Sequence, residues 1–167
     1  EALKVAQESS RVIVKRNMEN FGKGRALKKS LRYVNGEYVV FLDADLDLHP
    51  GQVLTLFDIL RLDEADVVIG SKLHPNSIVD YPFSRKIISF IYFLIIKVLF
   101  DLPLRDTQTG LKIFKAKVLR DVFPKIVVRK FAFDLEVLAI ARHLGYKITE
   151  APIVVTQRRK YSRMGPR

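Results

Sequence analysis

Three aspartates, Asp43, Asp45 and Asp47, alternate within FLDADLDLHPG, residues 41 to 51, just after an apolar run. Carboxylates this close repel one another unless a cation neutralises them. Hard divalent ions accept such oxygens while keeping waters and taking phosphate oxygens from a substrate. The chain has no cysteine, so disulfides and thiolate metal sites are excluded and the ion expected is Mg2+ or Mn2+. A metal–diphosphate site explains the triplet. The alternative is a polar turn in which Asp47 or His49 caps a helix opening at Pro50. A calcium-binding EF-hand loop is ruled out, because Leu48 stands where its glycine is needed and Leu54 where its closing glutamate is needed. A lone histidine is more often structural than ligating, so His49 is not counted.

The elements that must hold this loop follow an α/β alternation. Residues 1–9 read as a helix and 11–15 (RVIVK) as a strand. A glycine-bearing loop, 17–24, feeds a helix over about 25–34, which Gly36 stops. Residues 38–42 (YVVFL) are expected to be a strand buried on both faces, ending at the aspartates. Open α/β sheets bind ligands at such carboxyl ends. Pro50 suits the start of a helix to about Leu60, and residues 66–70 (DVVIG) the next strand. A loop over 71–82 leads into an apolar helix, 87–100. Residues 111–114 read as a short strand, 133–144 as a helix capped by Gly145, and 146–156, with Pro152 inside, as an edge or bent strand. No repeat or linker divides the chain, so residues 1–167 are one domain.

The chain carries 29 Lys+Arg against 18 Asp+Glu, a formal charge of +11, which favours polyanionic partners. Residues 115–130 hold six basic residues against one acid, and 158–167 hold five with none. A nucleic-acid binder is disfavoured: there is no zinc pattern, helix-turn-helix signature or basic strand interleaved with aromatics. The acid triplet would also repel nucleic-acid phosphate. The run IISFIYFLIIKVLF, 87–100, is broken by Lys97 and is shorter than the roughly 20 residues a spanning helix needs. It is either a core helix or one lying in a membrane interface. Glu1 opens a polar helical pattern rather than a secretory leader.

Several motifs occur in a fixed order: Asn20-Phe21-Gly22-Lys23-Gly24 with Ala26, Asp43-Ala44-Asp45, Gly70-Ser71-Lys72, Arg85 with Ser89, Asp106 to Lys112 (DTQTGLK), Phe133 to Glu136 (FDLE), and Ser162-Arg163-Met164. Together they resemble family 2 glycosyltransferases, in particular the polyprenyl-phosphate hexosyltransferases that use dolichyl phosphate. The resemblance implies a GT-A fold, a mainly parallel sheet flanked by helices. It also implies an inverting, metal-dependent transfer of a hexose from a nucleotide-sugar (UDP- or GDP-hexose) to a polyprenyl phosphate, at the cytoplasmic face of a membrane. Family members open with a strand ending in Pro-x-Tyr-Asn-Glu. Since no such segment precedes Arg11, the chain is expected to be a fragment lacking the strands that bind the nucleotide base.

Carried over residue by residue, the resemblance makes Asp43 and Asp45 the ligands of a metal bridging the diphosphate, with Asp47 where relatives offer a third polar ligand. Arg85 and Lys72 become candidates for binding acceptor or donor phosphate, and Ser89 their hydrogen-bond partner. Lysine stands at 72 where the family often has arginine, so a bidentate fork is replaced by a point charge. Asp106 is placed near acceptor or sugar, and Asp134 as a base or an acceptor of sugar hydroxyls, while Glu136 is as well explained structurally. Arg158 is a candidate clamp for the diphosphate, and Ser162 belongs to the closing segment. Lys23, at a glycine-flanked helix start, suits an anion, or is simply the cation of a solvated helix end. Two other readings stand beside this one: transfer to a polysaccharide or other hydroxyl acceptor, and a basic nucleic-acid- or membrane-binding module without catalysis.

Overall fold

The computed structural model describes residues 2–19, 22–45, 47–79, 93, 94, 97, 102, 104–128 and 132–156. In chain order these form α1 (Ala2–Glu8), α2 (Lys23–Ser30) with a 3-10 turn at Leu31–Tyr33, β1 (Tyr38–Phe41), α3 (Gln52–Leu62), β2 (Val67–Ser71) and β3 (Ile78–Val79). There follow β4 (Lys112–Lys115), α4 (Ala116–Val122) with a 3-10 turn at Phe123–Lys125, α5 (Phe133–His143), β5 (Ile148–Pro152) and β6 (Val154–Val155).

The main sheet has the order β1-β4-β2-β5. β4 runs antiparallel to both β1 and β2, while β5 is parallel to β2. Hence β1, β2 and β5 point one way and β4 alone is reversed. The mainly parallel sheet expected from the sequence is present in that three of four strands share a direction, and β4 makes it a mixed sheet. All five residues of β2 are buried, and their alternation serves two cores. Val67 and Ile69 join Phe41, Phe114, Phe123, Phe133 and Leu138 beneath α4 and α5. Val68 joins Leu56, Leu60, Ile113 and Ile153 on the side of α3. Layers on both faces explain why DVVIG is a near-continuous apolar run. Each such large side chain contributes about 1.5–3 kcal/mol on burial.

A second, two-stranded sheet pairs β3 with β6 in parallel. Leu48 makes an antiparallel bridge with Val155, and the Thr156 N–H donates to the Asp47 carbonyl at 3.0 Å. Gln52 grips both backbone groups of Val154, at 2.9 and 2.7 Å. The segment after the aspartates is thereby fastened to the far end of the described chain.

Several expectations need correction. Residues 11–15 are not a strand: β-branched side chains favour strands only where a neighbour completes the ladder. None pairs with this segment among the described residues, and Ile13 is 60% exposed. β1 is not buried on both faces but is an edge strand among the described residues, with Tyr38 39% exposed. The sequence pattern does not announce α4. β4 runs straight into it, with Lys115 extended and no capping side chain, so no start signal marks it. β3 and β6 occupy what reads as loop or as one extended stretch. The apolar segment 87–100 lies mostly outside the described residues, of which 93, 94 and 97 are helical. No helix among the described residues is long and apolar enough to cross a membrane. The helix over 133–143 ends as expected on Gly145 at φ 83°. That left-handed residue lets the Tyr146 N–H reach back to the Ala141 carbonyl at 3.0 Å.

Candidate active site

The register fixes where the chemistry gathers. Phe41 of β1 and Ile69 of β2 both lie opposite Lys112 of β4, so the carboxyl ends of β1 and β2 and the amino end of β4 share one edge. The aspartate turn leaves β1 there, the loop over 106–111 enters β4 there, and the amino ends of α2 and α5 close over the same place.

Lys112 stands in the middle of the sheet, 1% exposed. A buried ammonium is costly unless paired, and it is paired: its Nζ donates to Asp134 Oδ1 at 2.7 Å and to the Thr109 carbonyl at 2.5 Å. Burial pushes the Lys112 pKa down, against the opposing pull of Asp134. Asp134, in the first turn of α5, has its other oxygen 3.7 Å from Lys23 Nζ. Lys23, the first residue of α2, donates at 3.0 Å to Asp43 Oδ1. Four side chains thus alternate in sign: Asp43, Lys23, Asp134, Lys112. Burial alone would lower the Lys23 pKa, but Asp134 and Asp43 outweigh it and raise it above its ordinary value.

Asp43 is confined on its other side as well. A Cβ on Gly110 would come within 2.1 Å of Asp43 Oδ2, so only a bare backbone lets β4's approach loop pass. In the same turn, Asp45 Oδ1 accepts from the Asp47 N–H at 3.3 Å. Asp47 Oδ1 is buried without a hydrogen-bond partner, an orphaned acceptor in the aspartate turn. Among the described residues no group of three or more His, Cys, Asp or Glu could by itself hold a metal ion. The fit is therefore partial: carboxylates of one turn, with the remaining positions left to water and substrate oxygens. Mg2+ and Mn2+ accept that arrangement, being hard ions that keep waters and take phosphate oxygens.

Asp106 fastens backbone. Its Oδ2 accepts from the Lys72 N–H at 3.1 Å and the Thr109 hydroxyl at 2.6 Å, and its Oδ1 from the Gln108 N–H at 3.1 Å. Glu150 on β5 accepts from the Arg105 and Asp106 N–H groups at 2.8 and 3.1 Å. The chain after β2 and the loop before β4 are thus tied to one carboxylate. Glu136 accepts from the Val127 and Val128 N–H groups at 2.9 and 2.8 Å, the structural role weighed for it. His49 Nδ1 accepts from the Gly51 N–H at 3.1 Å and serves the entry to α3.

Of the residues singled out from sequence, Lys23, Asp43, Asp45, Asp47, Lys72, Asp106 and Asp134 gather at this edge. Arg85, Ser89, Arg158 and Ser162 lie outside the described residues. Sequence reasoning assigns no individual role to Lys112, Thr109 or Gly110. A lysine inside an apolar strand is the signal that could have found Lys112, since it demands a carboxylate.

Residues 1–123 match the family described as glycosyl transferase family 2. A dolichyl-phosphate β-glucosyltransferase of Dictyostelium discoideum is 28% identical over 157 residues, covering 90% of this chain and 48% of that protein. One from Trichomonas vaginalis is 31% identical over 155 residues, with coverage of 90% and 48%. The chain thus spans about half the length of the curated relatives it matches. Glucosyl-3-phosphoglycerate synthase of Mycobacterium tuberculosis, solved with Mn2+, uridine diphosphate and glucosyl-3-phosphoglycerate, superposes with a TM-score of 0.63 at 21% identity. That match covers 93% of this chain and 52% of the other, and it establishes the GT-A-like architecture.

Proposed function

This chain belongs to glycosyl transferase family 2, and from that premise we propose that it carries the metal- and acceptor-binding part of an enzyme moving a hexose from a nucleotide-sugar to dolichyl phosphate. The reaction inverts the anomeric centre and depends on Mg2+ or Mn2+. Support for the acceptor comes from the dolichyl-phosphate β-glucosyltransferases it resembles over nine-tenths of its length. The same relatives, and the uridine diphosphate in the solved neighbour, favour UDP-glucose as donor. The observation that carries the reading is the aspartate turn at the carboxyl end of β1, joined through Lys23 to Asp134.

Hexosyl transfer passes through an oxocarbenium-like centre while charge grows on the departing diphosphate. The catalytic demand is therefore to neutralise that charge and position the attacker. Asp43 and Asp45, with Asp47 completing the turn, would hold a divalent ion, which would supply Lewis-acid neutralisation of the diphosphate. Lys23 adds a cation at the amino end of α2, where backbone N–H groups also favour anions. A phosphate monoester already carries about 1.5–2 negative charges at neutral pH, so the acceptor needs no strong base. Both Asp134 oxygens face ammonium groups, which suits an acceptor of sugar hydroxyls better than a free base. Asp106 holds the Lys72 backbone and so positions Lys72 as a phosphate contact. Arg85, Ser89, Arg158 and Ser162 are assigned to substrate phosphates on the motifs alone. The apolar segment 87–100 is placed at the cytoplasmic surface of the membrane, where the lipid acceptor resides.

The test incubates the intact protein with radiolabelled UDP-glucose and dolichyl phosphate. Label should enter the organic phase only with Mg2+ or Mn2+, and Asp45→Ala should cut the rate by about 100-fold or more. Label passing to a water-soluble hydroxyl acceptor, with none in the lipid, would overturn the acceptor assignment.

A further inference from the structure

One carboxylate of the aspartate turn, Asp43, is already paired with a cation of the chain itself. Lys23 Nζ binds Asp43 Oδ1 at 3.0 Å, while the opposite oxygen, Oδ2, is pressed toward the bare backbone of Gly110. Oδ1 is thus occupied by an ammonium, while the Asp43 side chain as a whole is 46% exposed. Lys23 is also tethered on its far side, 3.7 Å from Asp134 Oδ2. Asp134 is itself fixed by the buried Lys112. Gly24, next along α2, is packed so tightly on Phe133 that a Cβ there would lie 2.5 Å from the ring, so the amino end of α2 has little room to shift. The ammonium can therefore leave Asp43 without leaving the site.

From this we infer that Lys23 is a built-in counter-ion occupying the place of a divalent cation, and that it hands Asp43 over when metal and nucleoside diphosphate arrive together. The inference rests on the metal reading of Asp43 and Asp45 and goes beyond it. Two cations cannot share one carboxylate oxygen at short range without repulsion. An ion bound through Oδ1 must displace Lys23 and leave it with Asp134, 3.7 Å away, as its neighbouring carboxylate. A diphosphate arriving with the metal supplies the anion that the displaced ammonium then pairs with. Metal and nucleotide binding are thus linked through one side chain, and linkage is reciprocal. A charge-neutral residue at 23 removes both the competition and the link.

The experiment measures Mn2+ binding to the intact protein by electron paramagnetic resonance of the free ion, with and without UDP, so the readout does not depend on turnover. Lys23→Met and Lys23→Gln, two neutral variants, should bind Mn2+ without UDP more tightly than the wild type, on the order of five-fold for loss of a half-exposed competing charge. Lys23→Arg keeps a cation and should stay near the wild type. UDP should tighten Mn2+ binding less in the neutral variants than in the wild type. Unchanged or weaker Mn2+ affinity in both neutral variants overturns the inference while leaving the metal site standing. If neither the wild type nor any Lys23 variant binds Mn2+ better than Asp45→Ala, with or without UDP, the metal reading falls and the hand-over with it.

Discussion

Asp43 and Gly110 approach so closely that a Cβ on residue 110 would stand 2.1 Å from Asp43 Oδ2 and 2.9 Å from Asp43 Cβ. The aspartate turn and the entry to β4 are therefore fitted to one another with no spare methyl group. Gly110→Ala must turn Asp43 out of its place. Overpacking of this kind costs about 1–3 kcal/mol. The larger effect should fall on metal: Mn2+ affinity is expected to drop by about ten-fold, the loss of one charged contact, while the melting temperature falls only modestly. Unchanged Mn2+ binding in a folded Gly110→Ala protein would show that the Asp43 orientation is irrelevant to the ion.

Lys112 and Asp134 form the most enclosed ion pair of the site, with side chains 2% and 13% exposed. Breaking such a pair from one side strands a buried charge, whereas replacing both partners can be nearly neutral. Lys112→Met should therefore destabilise the protein by about 3 kcal/mol, and Lys112→Met with Asp134→Leu should recover most of that loss. Urea midpoints of the two singles and the double give the coupling directly. Additive costs would mean that the pair contributes no interaction of its own.

The contrast between these residues shows what a sequence can display. The β2 strand and α5 are legible because burial imposes a period: alternation over 67–69 across two cores, and a 3.6-residue stripe ending on Gly145. RVIVK at 11–15 carries strand propensity yet forms none, because a strand is a property of a pair and its partner is not coded locally. α4 escaped because β4 flows into it without a turn residue or cap. The aspartate turn was legible through like-charge crowding alone. Its neutralisation was not, since Lys23 is 20 residues from Asp43, and Asp134 is 22 from Lys112. Asp106 reads as a site residue, but its hydrogen bond to the Lys72 backbone spans 34 positions and no local pattern announces it.

A pH dependence follows from Asp66, at the entry to β2. Burial would raise its pKa, but the Lys115 hydrogen bond at 2.9 Å, the Lys147 N–H at 3.0 Å and the nearby Lys115 and Lys117 charges outweigh it, holding it below 3.8. A depressed folded-state pKa contributes stability above the unfolded pKa and loses it as pH falls through the folded value. Stability from this group should thus be fully present near neutrality and vanish on acidification below about pH 4. Asp66→Asn should be less stable than the wild type at pH 7 and converge with it at low pH. Curves that remain parallel down to pH 2.5 would rule the pair out as a source of acid sensitivity.

Gly24 and Phe133 test whether packing between α2 and α5 sets the reach of Lys23. In an ordinary helix, glycine to alanine gains about 1 kcal/mol of propensity, so Gly24→Ala would be expected to stabilise the protein. Here the added Cβ would meet Phe133 Cδ2 at 2.5 Å, Cγ at 2.8 Å and Cβ at 3.1 Å. The ring cannot easily yield, because it is 1% exposed and stands edge-on against Phe123 with centroids 5.7 Å apart. The clash should win, leaving Gly24→Ala less stable by about 1–2 kcal/mol after the propensity gain is subtracted. It should also push Lys23 away from Asp134, so that UDP assists Mn2+ binding less. Phe133→Leu alone opens space and should cost about 1–2 kcal/mol. In the double variant the alanine methyl enters that space, so it should be more stable than the two single costs predict by about 1 kcal/mol or more. Strict additivity would show that the two helices adjust independently, and that Lys23 is held by its carboxylates rather than by the helix that carries it.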